Sequence, residues 1–365
     1  MKGTNLSNLR VLIAGGGTGG HIIPALAVAR ELVAHHEAEV LFIGTARGME
    51  SRLVPEAGFH LKLVDVGQLK NVSWLTRLRT LLHLPFSVRT CNKLIREFQP
   101  SVVFGVGGYA SGPAMAAALQ LKIPAIAFEP NAMPGLANRL VGKRVQAAAV
   151  NFKSAARWFR NAEVTGIPVR PEFFTLDAPT APNPHLLIFG GSQGARIFNF
   201  HLPKILPELL NAVPGLTILH QSGARHFEPT QAAYAASGAD PERWDVQPFI
   251  DDMPRHFAQA TLVMARSGAS TVAELAAAGK PALLVPFAAA ADNHQRRNAE
   301  EMVKTGAALL LTETDLDVPG KLQAALTGLL ASPERLAAMA AAARTQAHPD
   351  AAERIANRLA ALAQQ

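Results

Sequence analysis

The chain has 365 residues, 49% of them hydrophobic and 17% charged, a length and composition that suit two globular domains and exclude a disordered chain. A net charge of +7 admits an anionic lipid surface or an acidic substrate as partner. Nucleic acid is disfavoured, because 6% aromatics with two tyrosines supply base stacking poorly.

Short apolar runs alternate with amphipathic stretches from the start. Leu9–Ala14, Glu39–Gly44, Ser101–Gly105 and Ala125–Phe128 read as strands. Pro24–His36, Gly48–Ala57, Trp74–Phe98 and Pro113–Leu121 read as helices. The proline-rich stretch from Gly166 to Pro184 marks the best domain boundary. Beyond it the pattern restarts, with strands at His185–Phe189, Leu216–His220, Trp244–Gln247, Thr261–Met264 and Ala282–Val285. Helices are predicted at Ala195–Asn211, Glu228–Ala236, Ser270–Ala278 and Asp292–Lys304. This alternation, with short joints, implies α/β domains built on parallel sheets covered on both faces. The expected division is 1–168 and 169–348, with a helix at 349–365 packing back on the first domain.

The single cysteine, Cys91, rules out an intrachain disulfide and reads as a small buried side chain. No run of about 18–20 uncharged apolar residues occurs, so no spanning helix is expected. The polar first residues and strand-length run Val11–Ala14 do not read as a signal peptide.

Three glycine loops carry the chemistry. They are Gly15-Gly16-Gly17-Thr18-Gly19-Gly20-His21, Gly105-Val106-Gly107-Gly108-Tyr109-Ala110-Ser111-Gly112, and Gly190-Gly191-Ser192-Gln193-Gly194. Glycine lets backbone approach a ligand closely, and a following helix presents unpaired N–H groups to an anion. The first loop also fits G-x-G-x-x-G, but the second strand ends Phe42-Ile43-Gly44-Thr45, without the acid that a dinucleotide ribose requires.

The densest stretch is Arg266-Ser267-Gly268-Ala269-Ser270-Thr271-Val272-Ala273-Glu274. Ser270 suits either a helix N-cap or, with Thr271, a phosphate contact; Glu274 suits either a ribose diol or a capping box. Gln295 and Asn298, three apart, share a helix face suited to sugar hydroxyls. Asp315-Leu316-Asp317 lies beyond these motifs and reads as a helix start, and the twelve histidines show no zinc spacing.

In this order the motifs resemble the MurG family of bacterial UDP-N-acetylglucosamine transferases. Those already quoted are joined by Glu129 with Asn131, Pro134-Gly135 and Asn138, by Thr165-Gly166 with Pro168-Val169-Arg170, and by Phe249-Ile250-Asp251-Asp252-Met253. The resemblance covers nearly the whole chain. It implies a GT-B architecture, two Rossmann-like doubly wound domains facing across a cleft, with no cofactor and no metal. The N-terminal domain would take lipid I and the C-terminal domain UDP-GlcNAc. Ile250 would meet uracil and Glu274 the ribose. Ser192, Ala269, Ser270 and Thr271 would meet the diphosphate, and Gln295 and Asn298 the sugar. Thr18, Gly19, Gly20, Asn131 and Arg170 would complete the cleft. Gly16, Gly17, Gly107, Gly108, Tyr109 and Ser111 would form acceptor and diphosphate loops. Two departures are Pro130, where the family often has glutamine, and the more basic stretch Asp292–Arg297.

The implied reaction is inversion at the donor sugar, with lipid II as product. His21 is the expected base for the acceptor's C4 hydroxyl, since imidazole changes protonation near neutrality. Glu129 is the reserve. From Val66 to Arg96 six basic residues and no acid occur: Lys70, Arg77, Arg79, Arg89, Lys93 and Arg96. With Trp74, Leu75, Leu78, Leu82 and Phe86 among them, this face suits an anionic membrane surface. The implied location is the cytoplasmic face of the bacterial inner membrane, with cell-wall synthesis and division proteins as further partners. The alternatives are a UDP-GlcNAc 2-epimerase-like isomerase, a GT-B transferase with another acceptor, and a nucleotide-sugar-binding regulatory module.

Overall fold

Four runs of apolar residues, buried on both faces, form the centres of two sheets in the computed structural model, which describes residues 9–67, 74–176 and 183–364, without the side chains at 75–79 and 81. The chain divides into two compact units. One runs up to Pro168 and includes the chain from His348 on; the other is Val169–Ala347.

The first unit holds strands β1 (Arg10–Gly15), β2 (Glu39–Gly44), β3 (His60–Leu63), β4 (Val102–Gly107), β5 (Ala125–Glu129), β6 (Ala147–Val150) and β7 (Ala162–Val164). They pair in the order β3-β2-β1-β4-β5-β6-β7, parallel throughout. The second unit holds β8 (His185–Phe189), β9 (Thr217–Gln221), β10 (Trp244–Gln247), β11 (Leu262–Ala265), β12 (Ala282–Leu284) and β13 (Ala308–Leu310). Their order is β10-β9-β8-β11-β12-β13, again parallel. Every residue of β4 is buried, as a central parallel strand covered on both faces requires.

Each unit has its own core. Leu12, Ile43, Val103, Ala127 and Ile95 belong to the first, and Leu186, Phe198, Leu262, Met264 and Leu326 to the second. Cys91 lies inside the first core, and burial pushes its thiol up to about 12, so it is an inert packing residue.

The strands β3, β6, β7 and β13 are additions to the sequence reading. All are only three or four residues long, and β6 reads Ala-Ala-Ala-Val, a helix-forming composition overridden by its place between β5 and β7. The first helix begins at Gly19, ahead of the expected Pro24, which lies inside it. The last helix, Ala351–Ala363, packs against Gly19–His36. Arg354 and Arg358 grip Glu163 at 2.8 and 2.9 Å, and His36 meets Asn357 at 3.0 Å.

Candidate functional site

Both sheets reverse their strand succession at the centre, where β1 lies beside β4 and β8 beside β11. Helices after these central strands pass to opposite faces, which leaves a crevice at the carboxyl ends. All four glycine-bearing segments sit there: the first loop follows β1, the second β4, the third β8, and Ser267-Gly268 follows β11.

The helices that follow open at Gly19, Ser111, Arg196 and Ala269, and none has a side-chain cap hydrogen bond. Asp252 and Thr312 cap two helices elsewhere, but others, such as Glu50–Glu56 and His294–Lys304, also lack a side-chain cap, so it is the place of these four at the switch points that sets them apart. First-turn N–H groups without such a cap, at a switch point, suit an anion, each helix end contributing about 0.3–2 kcal/mol. Gly268 occupies the N-cap position of the Ala269–Ala278 helix, so Ser270 is not the cap but the second helical residue.

The first two loops interlock. Gly16 N–H donates to the Gly107 carbonyl at 3.2 Å. With φ of +79° at Gly108, a Cβ there would collide with the Gly16 carbonyl. A Cβ on Gly107 would come within 2.9 Å of His21 Cε1, so the imidazole lies directly against this turn. Thr18 is exposed and Tyr109 is 39% exposed. Beneath the first loop sits Glu50, 1% exposed, accepting the Gly17 N–H at 2.6 Å. The Gly16 and Gly17 N–H groups, expected to serve a diphosphate, therefore turn inward. The open donors of this loop begin at Thr18, Gly19 and Gly20. The Ser111 hydroxyl, also expected at the diphosphate, is buried.

In the second unit, Gly191 at φ +85° has open space around it, and Ser192 is exposed. Gln221, 1% exposed, donates through Nε2 to the Gly191 carbonyl at 2.8 Å and accepts the Ile250 N–H at 3.0 Å. One amide thus ties the third glycine loop to the Phe249-Ile250 turn. Arg266 donates to the Val285 carbonyl, pairs with Glu313 at 2.5 Å and lies over the rings of Phe198 and Phe287. Ser267 Oγ donates to the Gln295 carbonyl at 2.8 Å, and Gln295 Oε1 accepts the Phe287 N–H at 2.9 Å. Glu274 is partly buried one turn into its helix. Burial pushes its carboxyl up to about 7, against the pull of the Arg170 charge.

Two family models cover most of the chain: the glycosyltransferase family 28 N-terminal domain over residues 11–150, and the family 28 C-terminal domain over residues 185–355. A relative from Anaeromyxobacter sp. (strain Fw109-5) is 44% identical over 96% of this chain and 92% of its own length. One from Solibacter usitatus (strain Ellin6076) is 44% identical over 95% and 94%. Both are named UDP-N-acetylglucosamine–N-acetylmuramyl-(pentapeptide) pyrophosphoryl-undecaprenol N-acetylglucosamine transferase. The crystal structure of Acinetobacter baumannii MurG superposes with a TM-score of 0.80 at 31% identity, covering 97% of this chain and 99% of that one. The chain belongs to the MurG family. Its two Rossmann-like units are those of a GT-B glycosyltransferase.

Against the roles that MurG resemblance implies, two side chains and one backbone group differ in setting. Asn298 is fully buried and donates to the Ser267 carbonyl at 3.1 Å, so its amide faces the protein where a sugar contact was expected. The Ile250 N–H is taken by Gln221, as above. Glu129, 2% exposed, accepts from the backbone and side chain of Asn131, from the Gly135 N–H and from Asn138. Burial pushes its pKa up while these donors pull it down. Both oxygens are engaged, which is the setting of a loop organiser and not of the reserve base. Arg170 lies in the second unit with its guanidinium 5.1 Å from the Phe173 ring centre.

Asp315 forms a capping box with Thr312, which accounts for the Asp-x-Asp. Among the described residues, no group of three His, Cys, Asp or Glu side chains could hold a metal ion. On the Trp74–Phe98 helix, Trp74 and Leu82 are each 71% exposed and Phe86 is 65% exposed, while Ser87, Cys91 and Ile95 face inward. Lys70 and the side chains of Leu75, Arg77, Leu78 and Arg79 lie outside the described residues. No described helix is long and apolar enough to cross a membrane. Glu50 and Gln221, which hold the glycine loops through backbone hydrogen bonds, are absent from the sequence reading because neither stands in a glycine motif.

Proposed function

We infer that the chain transfers GlcNAc from UDP-GlcNAc to the C4 hydroxyl of MurNAc in undecaprenyl-pyrophosphoryl-MurNAc-pentapeptide, lipid I, giving lipid II. The observation that carries this reading is near full-length identity of 44% to transferases of that name, on a chain with two uncapped helix ends at the switch point of each of its two sheets. The second unit takes the donor. Ser192 and the Ala269-Ser270-Thr271 turn hold the diphosphate, Glu274 accepts the ribose hydroxyls, and Gln295 holds the sugar. With its N–H engaged by Gln221, Ile250 offers uracil its carbonyl. Asn298 supports this site through Ser267. The first unit takes the acceptor, whose diphosphate is met by the Thr18-Gly19-Gly20 turn and the Gly108-Tyr109 loop.

The C4 hydroxyl attacks C1 of GlcNAc from the face opposite UDP. The new C1–O4 bond forms as the C1–O bond to the diphosphate breaks, so an α-linked donor gives a β-linked product. The hydroxyl proton passes to His21, whose ring lies against the Gly107 turn. General-base assistance contributes about 10²–10⁴-fold. Negative charge growing on departing UDP is stabilised by the helix ends after β8 and β11. The exposed Trp74, Leu82 and Phe86, with the basic residues of the same segment, support peripheral binding to an anionic membrane, at the cytoplasmic face, as the reading for this lipid-acceptor enzyme.

Radiolabelled UDP-GlcNAc with a short-chain lipid I analogue, in excess chelator, tests the reading. Label should enter the lipid with equimolar UDP. Turnover of the nucleotide sugar with an unlabelled lipid would favour the isomerase; donor binding without turnover would favour a regulatory module.

A further inference from the structure

Glu50 is a carboxylate with no solvent, buried at 1% exposure under the first glycine loop. Its surroundings are built for it. Gly16, Gly44 and Gly48 close around it, and a Cβ on any of the three would strike its side chain. Oε2 accepts the Gly17 N–H at 2.6 Å, while Oε1 accepts both the N–H and the hydroxyl of Thr45 at 2.9 Å. A buried carboxylate is costly unless its oxygens are met by donors, and here donors from the segments after β1 and β2 meet both.

The consequence runs along a chain of contacts. Gly17 is fixed by Glu50, and Gly16 is fixed by the Gly107 carbonyl. Gly108 packs on the Gly16 carbonyl, and the His21 ring lies against Gly107. The first loop therefore cannot shift without moving the Thr18-Gly19-Gly20 turn and the imidazole together.

We propose that Glu50 is the positioning residue of the first glycine loop, setting the Thr18–Gly20 N–H groups and His21 for the acceptor, while the Gly17 N–H serves Glu50 and not the acceptor diphosphate. The proposal rests on the transferase reading above. Glu50→Gln preserves shape, but its single carbonyl oxygen cannot accept on both sides. If that oxygen keeps Thr45, the amide NH2 faces the Gly17 N–H, donor against donor.

The experiment compares Glu50→Gln with the unaltered enzyme in the lipid I analogue assay, with calorimetric UDP titration and a folded fraction from thermal unfolding. Displacement of reacting groups by about 1 Å costs about 10²-fold, so kcat per folded molecule should fall by about that factor, with the Kd for UDP unchanged within about twofold. Activity falling only in proportion to the folded fraction, or kcat unchanged, overturns the proposal. Hydrogen exchange at the Gly17 amide of the unaltered protein supplies the second measurement if the variant does not fold. Strong protection is expected, and exchange at the rate of an open loop overturns the proposal. Protection at Gly17 in a protein that transfers no sugar would instead separate failure of the transferase reading from failure of the loop assignment.

Discussion

Glu274 gives the donor site a pH signature. A carboxyl pushed up to about 7 is largely protonated below that value, whereas a ribose diol is best met by the ionised form. Binding must then expel a proton below pH 7, so UDP affinity should rise with pH up to about 7 and level above it. Glu274→Gln should weaken UDP by about 2 kcal/mol, roughly 30-fold, and flatten the part of the pH dependence not due to the diphosphate itself. Isothermal titration across pH 5.5–8.5 (about this window follows from the shifted value) reads both effects. His21→Ala makes the complementary case. It should lower kcat by about 10²–10⁴-fold while UDP affinity holds, and equal loss of both would assign His21 a binding role. At this scale the sequence revealed motif residues but not their supports. Glu50 and Gln221 act on backbone groups 33 and 29 residues away, and such pairings exist only after the strands are in register. The burial of Asn298 was hidden for the same reason, because its partner Ser267 lies 31 residues before it.

At the level of elements, the strand–glycine–helix junctions were legible because glycine runs interrupt apolar strands abruptly. The junctions after β1, β4, β8 and β11 all appear in the sequence as such breaks. Less legible were β6 and β13, where alanine and leucine fit a helix equally well and only neighbouring strands decide. The Trp74–Phe98 helix carries a prediction of its own. Its outward Trp74, Leu82 and Phe86 bury little in the protein, so alanine at all three should leave the unfolding midpoint nearly unchanged. Partitioning onto anionic vesicles should drop by several kcal/mol in sum, at about 1.5–3 kcal/mol for each fully inserted side chain. Added salt should weaken the binding of the unaltered protein, and vesicle binding indifferent to both salt and these substitutions would contradict the membrane face.

For the molecule as a whole, two parallel sheets with matching central reversals put four anion-suited helix ends on one chain. A diphosphate donor and a diphosphate-linked acceptor require sites of this kind on both units, whereas an isomerase acts on a single nucleotide sugar. The reaction type follows from the family, and direct displacement leaves a mark in the product. NMR of the disaccharide released from the lipid product, made with isotopically labelled UDP-GlcNAc, reads the linkage directly. A single β linkage from GlcNAc C1 to the C4 oxygen of MurNAc is the expected result. An α linkage, attachment at another hydroxyl, or label recovered only in an epimerised nucleotide sugar would contradict it.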